Sequence, residues 1–397
     1  MTTAIPAPRR LLNWPDTLVD EAAFAREQAR LARVWTFLGH TRDVARDGDW
    51  FRTNLATRSV FVQRFGDELR GFENRCAHRS FPLRNADTGN GPVLCGFHNW
   101  RYNKEGEAIG IPQCIPLFGT TPQEMGAKLT PVEVATCGPL IFGRFRAPGD
   151  DETLEDFLGE SFPIIEALLS SGAEPHMLTK EVKANWRLCV QITVEEYHVP
   201  SVHPPYWGTH GYLRRENIGY FRFGRHSAYF THPDPNGLAK MAAECQAGTW
   251  RSANYRVFHI FPGFAVSHFR ADREHWYVSA MQFLPVAPDR TLVRYWACPS
   301  AFPSAVEGPW YDRLFDRFRL THRLRDRIVR YYSGKVQSQD TAMCETLQTI
   351  ARQSRAAPPL GLLEERIGWF EDAYEAAMNA AAPGAVPVAG RTRSAAE

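Results

Sequence analysis

The chain has 397 residues, with 46 basic and 44 acidic side chains and a formal net charge of +2. That near-neutral balance gives no global basic field for nucleic acid, and no apolar run reaches the length needed to cross a bilayer. The length suffices for two domains with a sizeable core. Residues 1–10 lack the apolar centre of a secretory signal, so a cytoplasmic location is expected.

The first predicted element is an amphipathic helix over residues 17–35, with Asp20 as its cap. From Asp49 the pattern changes to short strands at 50–55, 59–65 and 69–73, separated by Ala-Thr and Gly-Asp turns. Two loops then carry Cys76-Ala77-His78-Arg79 and Cys95-Gly96-Phe97-His98-Asn99-Trp100, the pattern C-x-H-x16-C-x-x-H. Two thiolates and two imidazoles in alternating short pairs make a metal site. It can be tetrahedral zinc, or a Rieske 2Fe–2S cluster with both cysteines on one iron and both histidines on the other. Each pair follows a β-rich run, Gly71-Phe72-Glu73-Asn74 or Pro92-Val93-Leu94, and these flanks favour the cluster.

Residues 141–145 read as the last long strand of this small β-domain, and the Pro/Gly/Asp stretch at 147–151 marks a boundary. Residues 151–170 are helical in pattern, and a larger α+β domain follows, with strands at 218–223, 255–260, 276–283 and 292–296. Early in it, Glu195-Glu196-Tyr197-His198 leads to His203. Two histidines five apart beside carboxylates begin a 2-His-1-carboxylate triad, which leaves positions open on ferrous iron for dioxygen. The third ligand must come from elsewhere. Asp340, on a helical run ending in Cys344-Glu345, is the best candidate, with Glu345 next. A His-x4-His pair alone is weak, because satisfied polar histidines near a surface give the same spacing. Its place after the Cys/His loops makes it specific.

Other features carry less. The arginine-rich stretch 312–332 could dock an acidic electron donor, but its interleaved Asp312, Asp316 and Asp326 favour a solvated helix with i,i+4 pairs. Among the aromatics after the histidine pair, Tyr206 and Trp207 are the candidates for a substrate pocket. His210, His226, His232, His259, His268 and His275 lack ligand spacing and read as polar structural or pocket residues. The remaining six cysteines are scattered and read as reduced core thiols. The Ala/Pro/Gly-rich tail from about residue 381 is expected to be disordered.

Together these motifs resemble the oxygenase (alpha) component of the Rieske non-haem iron oxygenases, over nearly the whole chain. Trp35-Thr36-Phe37-Leu38-Gly39-His40 resembles the family's opening helix and first strand, residues 106–112 the segment closing the cluster loop, and Phe261-Pro262-Gly263 stands where many members carry Phe-Pro-Asn. The resemblance implies an α+β fold: a helical segment at 1–45, an all-β Rieske domain at 46–150, and a catalytic domain at 151–380. The last would have an antiparallel sheet and helices in a helix-grip, START-like arrangement, before a tail at 381–397. It implies Cys76, His78, Cys95 and His98 as ligands of a 2Fe–2S cluster, and His198, His203 and Asp340 as ligands of a mononuclear Fe(II). It assigns Glu195 as the carboxylate joining the two centres across a head-to-tail homotrimer, with or without a small beta subunit. Electrons would come from an NAD(P)H-dependent reductase, directly or through a ferredoxin. The implied activity is hydroxylation of a small, aromatic substrate using O2. The alternatives are oxidative attack on a quaternary ammonium or N-methyl group, or a Rieske electron carrier without oxygenase activity. Three departures stand out: Ser80 and Asn99 replace glycines, and Glu195 stands where many aromatic-ring dioxygenases carry aspartate and branches acting on quaternary amines carry glutamate. Asparagine tolerates positive φ, so its loop is expected to keep its shape.

Overall fold

The computed structural model describes residues 9–10, 18–170, 176–203, 214–272, 275–305, 322–351, 353 and 359–380. Asp20 caps α1 (Glu21–Leu31), its carboxylate accepting from the Ala23 N–H at 2.5 Å. The helix stops short of residue 35 because Ala32 and Trp35 turn into the core and the chain leaves as β2 (Thr36–His40). Strands β3 (Asp49–Leu55), β4 (Arg58–Phe65) and β5 (Glu68–Glu73) begin one residue before their predicted starts. They join β6 (Thr88–Asn90), β10 (Pro131–Cys137) and β11 (Leu140–Arg144) in an antiparallel sheet of order β2-β11-β10-β5-β4-β3-β6. A smaller sheet of β7 (Val93–Leu94), β8 (Arg101–Tyr102) and β9 (Ala108–Gly110) carries the second cysteine loop, followed by α2 (Cys114–Phe118) and α3 (Pro122–Met125).

The stretch 151–170 forms α4 (Leu154–Leu158) and α5 (Phe162–Leu169), with a 3-10 turn at Gly159–Ser161 between them. The chain then enters β12 (His176–Val182), α6 (Trp186–Thr193) and α7 (Val199–Val202). A second antiparallel sheet is completed by β13 (Gly219–Phe223), β14 (His226–Phe230), β15 (Arg256–Ile260), β16 (Phe264–Arg270), β17 (Trp276–Ala287) and β18 (Arg290–Pro299). Its order is β12-β18-β17-β16-β15-β14-β13. A helix, α8 (Gly237–Gln246), interrupts the strands, and two long helices, α9 (His322–Ala351) and α10 (Glu365–Asn379), end the described chain. A two-residue ribbon pairs β1 (Arg9–Arg10) with β19 (Pro359–Leu360).

Strand alternation sorts the second sheet's side chains into two cores. Ala265, Met281, Phe283 and Tyr295 pack with Leu188 of α6, Cys344 of α9 and Phe370 of α10. Phe264, Val266, Val278 and Ala280 pack on the opposite face with α4, α5 and α8. The pattern reading placed β13, β15, β17 and β18 and missed β12, β14 and β16. Residues 322–332 of the arginine-rich stretch and the Asp340 segment prove to be parts of one helix, α9. Arg313, Arg317, Arg319, Asp312 and Asp316 lie outside the described residues. Asp326 accepts from the Tyr277 hydroxyl at 2.5 Å and Arg325 donates to Asp272 at 2.8 Å, so both side chains reach to other elements.

His226, His259 and His268 are buried in this sheet. His226 donates from Nε2 to the Phe157 carbonyl at 2.6 Å and accepts at Nδ1 from the Phe261 N–H at 3.0 Å, which fixes a neutral ring. Burial lowers the pKa to about 4 for His226 and to about 3 for His259 and His268. The unfolded chain protonates these rings near pH 6.5 and the native state does not, so unfolding takes up protons and stability is lost as pH falls from about 6.5 toward 4. The urea midpoint is therefore expected to fall steadily between pH 6.5 and 4.5. His226→Gln, which keeps a donor and an acceptor, should make that slope shallower.

Candidate functional site

The two cysteine loops are built alike. Cys76 N–H donates to the Phe81 carbonyl at 2.9 Å and Ser80 N–H returns to the Cys76 carbonyl at 3.0 Å; Cys95 N–H donates to Trp100 and Asn99 N–H to Cys95, both at 2.9 Å. This turn needs a left-handed residue four places after the cysteine. Ser80 (φ 60) and Asn99 (φ 58) take that conformation in place of glycine, at a cost of about 1 kcal/mol each. The substitutions noted in the sequence thus leave both loops in the same shape.

The cysteines lie in the core with Phe61, Phe72, Trp100 and Tyr102, whereas His78 and His98 are half-buried at its edge. The two Nδ1 atoms face each other at 3.2 Å, and the His78 ring stacks on Trp100. Tyr102 hydroxyl accepts the Ala77 N–H at 3.1 Å, so its own proton is free to donate to Cys76 Sγ, 3.0 Å away. Cys95 receives the N–H groups of Phe97 and His98 and lies in hydrogen-bond contact with Cys76; burial raises its thiol pKa. Among the described residues, His198, His203 and Asp340 converge as a set on one ion, and these four do not. Two adjacent sulfurs inside and two adjacent nitrogens outside fit a split two-iron cluster better than one zinc.

The second centre depends on where α6 delivers the chain. Asn185 caps α6, accepting from Arg187 N–H at 2.9 Å and donating to the Pro288 carbonyl at 2.7 Å. Trp186 donates to Glu27 of α1 at 2.9 Å, while Arg187 pairs with Glu371 of α10, which also accepts from Gln191 at 2.7 Å. These partners account for the Asn-Trp-Arg triplet. After α6 comes the short helix α7, with His198 at one end and His203 at the other, their ring centroids 5.3 Å apart.

Asp340 of α9 completes the set. Its Oδ1 lies 2.8 Å from His203 Nε2 and 3.5 Å from His198 Nε2, is buried, and accepts no well-aligned hydrogen bond. The three ligand atoms lie within 4.8 Å of one another. The outer nitrogens are occupied: His198 Nδ1 bonds Glu195, and His203 Nδ1 lies 2.9 Å from Gln339 Oε1. Each ring therefore turns its Nε2 inward with the tautomer set for a metal. Burial opposes a charged His198, but Asp340 and Glu195 outweigh it and raise its pKa to about 10. Burial likewise opposes a charged Asp340, and the two histidines outweigh it and hold its pKa down. This field stabilises positive charge between the three side chains, and the buried oxygen without an aligned donor fits a divalent ion.

Glu345, the other acid considered, instead accepts the Lys183 N–H at 3.0 Å. Tyr206 and Trp207 lie outside the described residues, as do His210 and Tyr212. Sequence reasoning missed Gln339, Tyr102 and Trp100. Gln339 directly precedes Asp340 in sequence, but only the helix's position shows that it reaches His203.

Comparison with known proteins adds two family matches: "Rieske [2Fe-2S] domain" over residues 34–122 and "Ring hydroxylating alpha subunit (catalytic domain)" over residues 169–380. The anthranilate 1,2-dioxygenase large subunit of Burkholderia cepacia is 28% identical over 60% of this chain and 56% of its own length. The chain spans about half the length of the curated relatives it matches. A naphthalene 1,2-dioxygenase from Rhodococcus sp. with bound indole shares the fold, with TM-score 0.69 and 19% identity over 93% of this chain and 95% of that one. The quaternary ammonium Rieske monooxygenase CntA, with L-carnitine, gives 0.69 and 15% over 94% and 95%.

Removing the hydroxyl beside Cys76 tests the first centre. A hydrogen bond to a cluster sulfur favours the reduced, more negative state. Tyr102→Phe is expected to lower the cluster's reduction potential by about 40 mV, the equivalent of ~1 kcal/mol for one electron. Redox titration followed by EPR reads the shift, and an unchanged potential would remove Tyr102 from the cluster's environment.

Proposed function

The chain belongs to the ring-hydroxylating alpha-subunit family, and we propose that it is the terminal oxygenase of a multicomponent Rieske system. It would use O2 and NAD(P)H-derived electrons to hydroxylate a small aromatic substrate. The observation that carries this reading is the convergence of His198, His203 and Asp340 in a chain that also holds the Cys/His loops. An electron carrier has no use for a second, open metal site. In this reading Cys76 and Cys95 hold one iron of the cluster, His78 and His98 the other, and His198, His203 and Asp340 hold ferrous iron. When bound, the cluster supplies single electrons and the ferrous ion supplies dioxygen activation. The chain's own contribution is placement: Glu195 and Gln339 fix the two histidine rings, and Asp340 supplies the negative charge. We assign the cluster to residues 46–150 and the iron site to 151–380.

The partners follow from the surfaces around each centre. Phe97 and Phe118, whose rings lie against His98 and His78, are 50% and 42% exposed, and Tyr197, beside Glu195, is 68% exposed. Apolar groups of this size left open beside both centres support a head-to-tail homotrimer, in which His98 of one subunit approaches Glu195 of the next. A reductase, directly or through a ferredoxin, would supply electrons at the same edge. Among the described residues no helix is long and apolar enough to cross a membrane. With eight cysteines free, a cytoplasmic setting is the consistent proposal.

A second reading, attack on a quaternary ammonium or N-methyl substrate, is favoured by Glu195 in place of aspartate. Dioxygen consumption with a surrogate reductase, across aromatic acids and quaternary amines, separates the two. Stimulation by amines alone would overturn the aromatic reading.

The purified holoprotein should contain about three irons per chain, two labile with sulfide. Asp340→Ala is expected to lose the third while keeping the cluster's EPR signal; full iron retention would place the third ligand elsewhere. Glu195→Gln should keep both centres while reoxidation of the pre-reduced cluster by dioxygen and substrate slows at least a hundredfold, about 2.7 kcal/mol. Unchanged single-turnover kinetics would remove Glu195 from electron transfer.

A further inference from the structure

Glu195 and Glu196 are neighbours with opposite surroundings. Glu195 turns to the iron site: one oxygen bonds His198 Nδ1, and the other accepts the N–H groups of Tyr197 at 2.5 Å and His198 at 3.1 Å. Glu196 turns into the core, where it is 6% exposed and bonds Arg366 Nη1 at 3.0 Å and the Tyr220 hydroxyl. The backbone of Glu196 is held as well, its N–H donating to the Leu363 carbonyl at 3.3 Å. That carbonyl lies 3.0 Å from the Tyr220 hydroxyl. Arg366 is fully buried and donates from Nε to Ser227 Oγ at 3.2 Å. One side chain is thus tied to β13 through Tyr220, to β14 through Arg366 and Ser227, and to the start of α10.

Stability alone does not explain this arrangement. A buried ion pair costs about as much in desolvation as it returns, and an apolar pair of similar size is often as good. Here the second carboxylate beside Glu195 adds like-charge repulsion. The pair does provide a fixed point in a stretch that has few others. Between Thr193 at the end of α6 and Val199 at the start of α7, the chain is neither helix nor strand. A shift of the Glu196 peptide moves Glu195 with it and breaks the bond that orients His198.

We propose that Glu196, clamped by Arg366 and Tyr220, is a positioning residue that aims the Glu195 carboxylate at His198. The proposal rests on the reading of Glu195 as the orienting and bridging carboxylate of an iron site. It adds that β13, β14 and α10 set the geometry of that site through one buried carboxylate.

The test uses the full-length holoprotein and nitric oxide as a probe of the ferrous site. Tyr220→Phe keeps the ring and removes the hydroxyl; Glu196→Gln keeps the shape and removes the charge; Glu195→Gln is the reference. In the wild type the ferrous–nitrosyl EPR signal is expected as a single species. Both Tyr220→Phe and Glu196→Gln should broaden or split it at wild-type iron content, and release iron to a chelator about fivefold faster. A purely structural role predicts a lower melting temperature with an unchanged signal, and that result overturns the proposal. If Glu195→Gln alters the signal while Tyr220→Phe and Glu196→Gln do not, the clamp is refuted and the reading of Glu195 stands. If Glu195→Gln also leaves the signal unchanged, the reading of Glu195 fails and the clamp with it.

Discussion

Asp340 meets His198 and His203 because α9 is locked in register against α6. Asp340, Cys344 and Gln348 recur every fourth residue and form one stripe of the helix. Gln348 accepts the Asn185 N–H at 2.9 Å and donates to the Leu18 carbonyl at 3.1 Å; Cys344 Sγ faces the Leu188 carbonyl at 3.6 Å. Glu345, on the adjoining stripe, holds the Lys183 N–H. A slip of one residue would rotate Asp340 by about 100° away from the histidines. The position of the carboxylate is therefore set by buried hydrogen bonds up to two turns further along the helix, and the site's geometry and the packing of α9 are one constraint.

The same logic holds α6 from its other side. Glu27 accepts from Trp186 and Tyr374, and Arg187 and Gln191 both reach Glu371. Burial raises the Glu27 pKa, which shows the cost of placing acids here. Buried networks of this kind are poor sources of net stability and good sources of a single orientation. Breaking one member would leave partners unsatisfied and free α6 to shift, carrying Glu195, His198 and His203 with it. The clamp on Glu196 extends this scheme to the peptide between the two helices.

The cluster loops follow a different principle. Each is a self-contained turn, closed by two backbone hydrogen bonds and one left-handed residue, so its shape needs little from distant parts of the chain. The surrounding core adds polarity: the sulfurs face inward against Trp100 and Tyr102, and the imidazoles face out.

This difference decides what could be read from the chain alone. The Cys/His loops were legible because their four side chains are local and their spacing is the geometry. His198 and His203 were legible for the same reason, since they bracket one helical turn. Strands β3, β4 and β5 were legible from the Ala-Thr and Gly-Asp turns between them, and Asp20 announced α1. Asp340 could be named only as a candidate, and the roles of Gln339, Glu196, Tyr220 and Arg366 had no sequence signal at all. Their partners lie far away in the chain and meet through packing of α9, α10 and the second sheet. Local spacing and capping are properties of neighbouring residues, whereas register between α9 and α6 is a sum of many weak, distant contacts, and only the folded chain evaluates it.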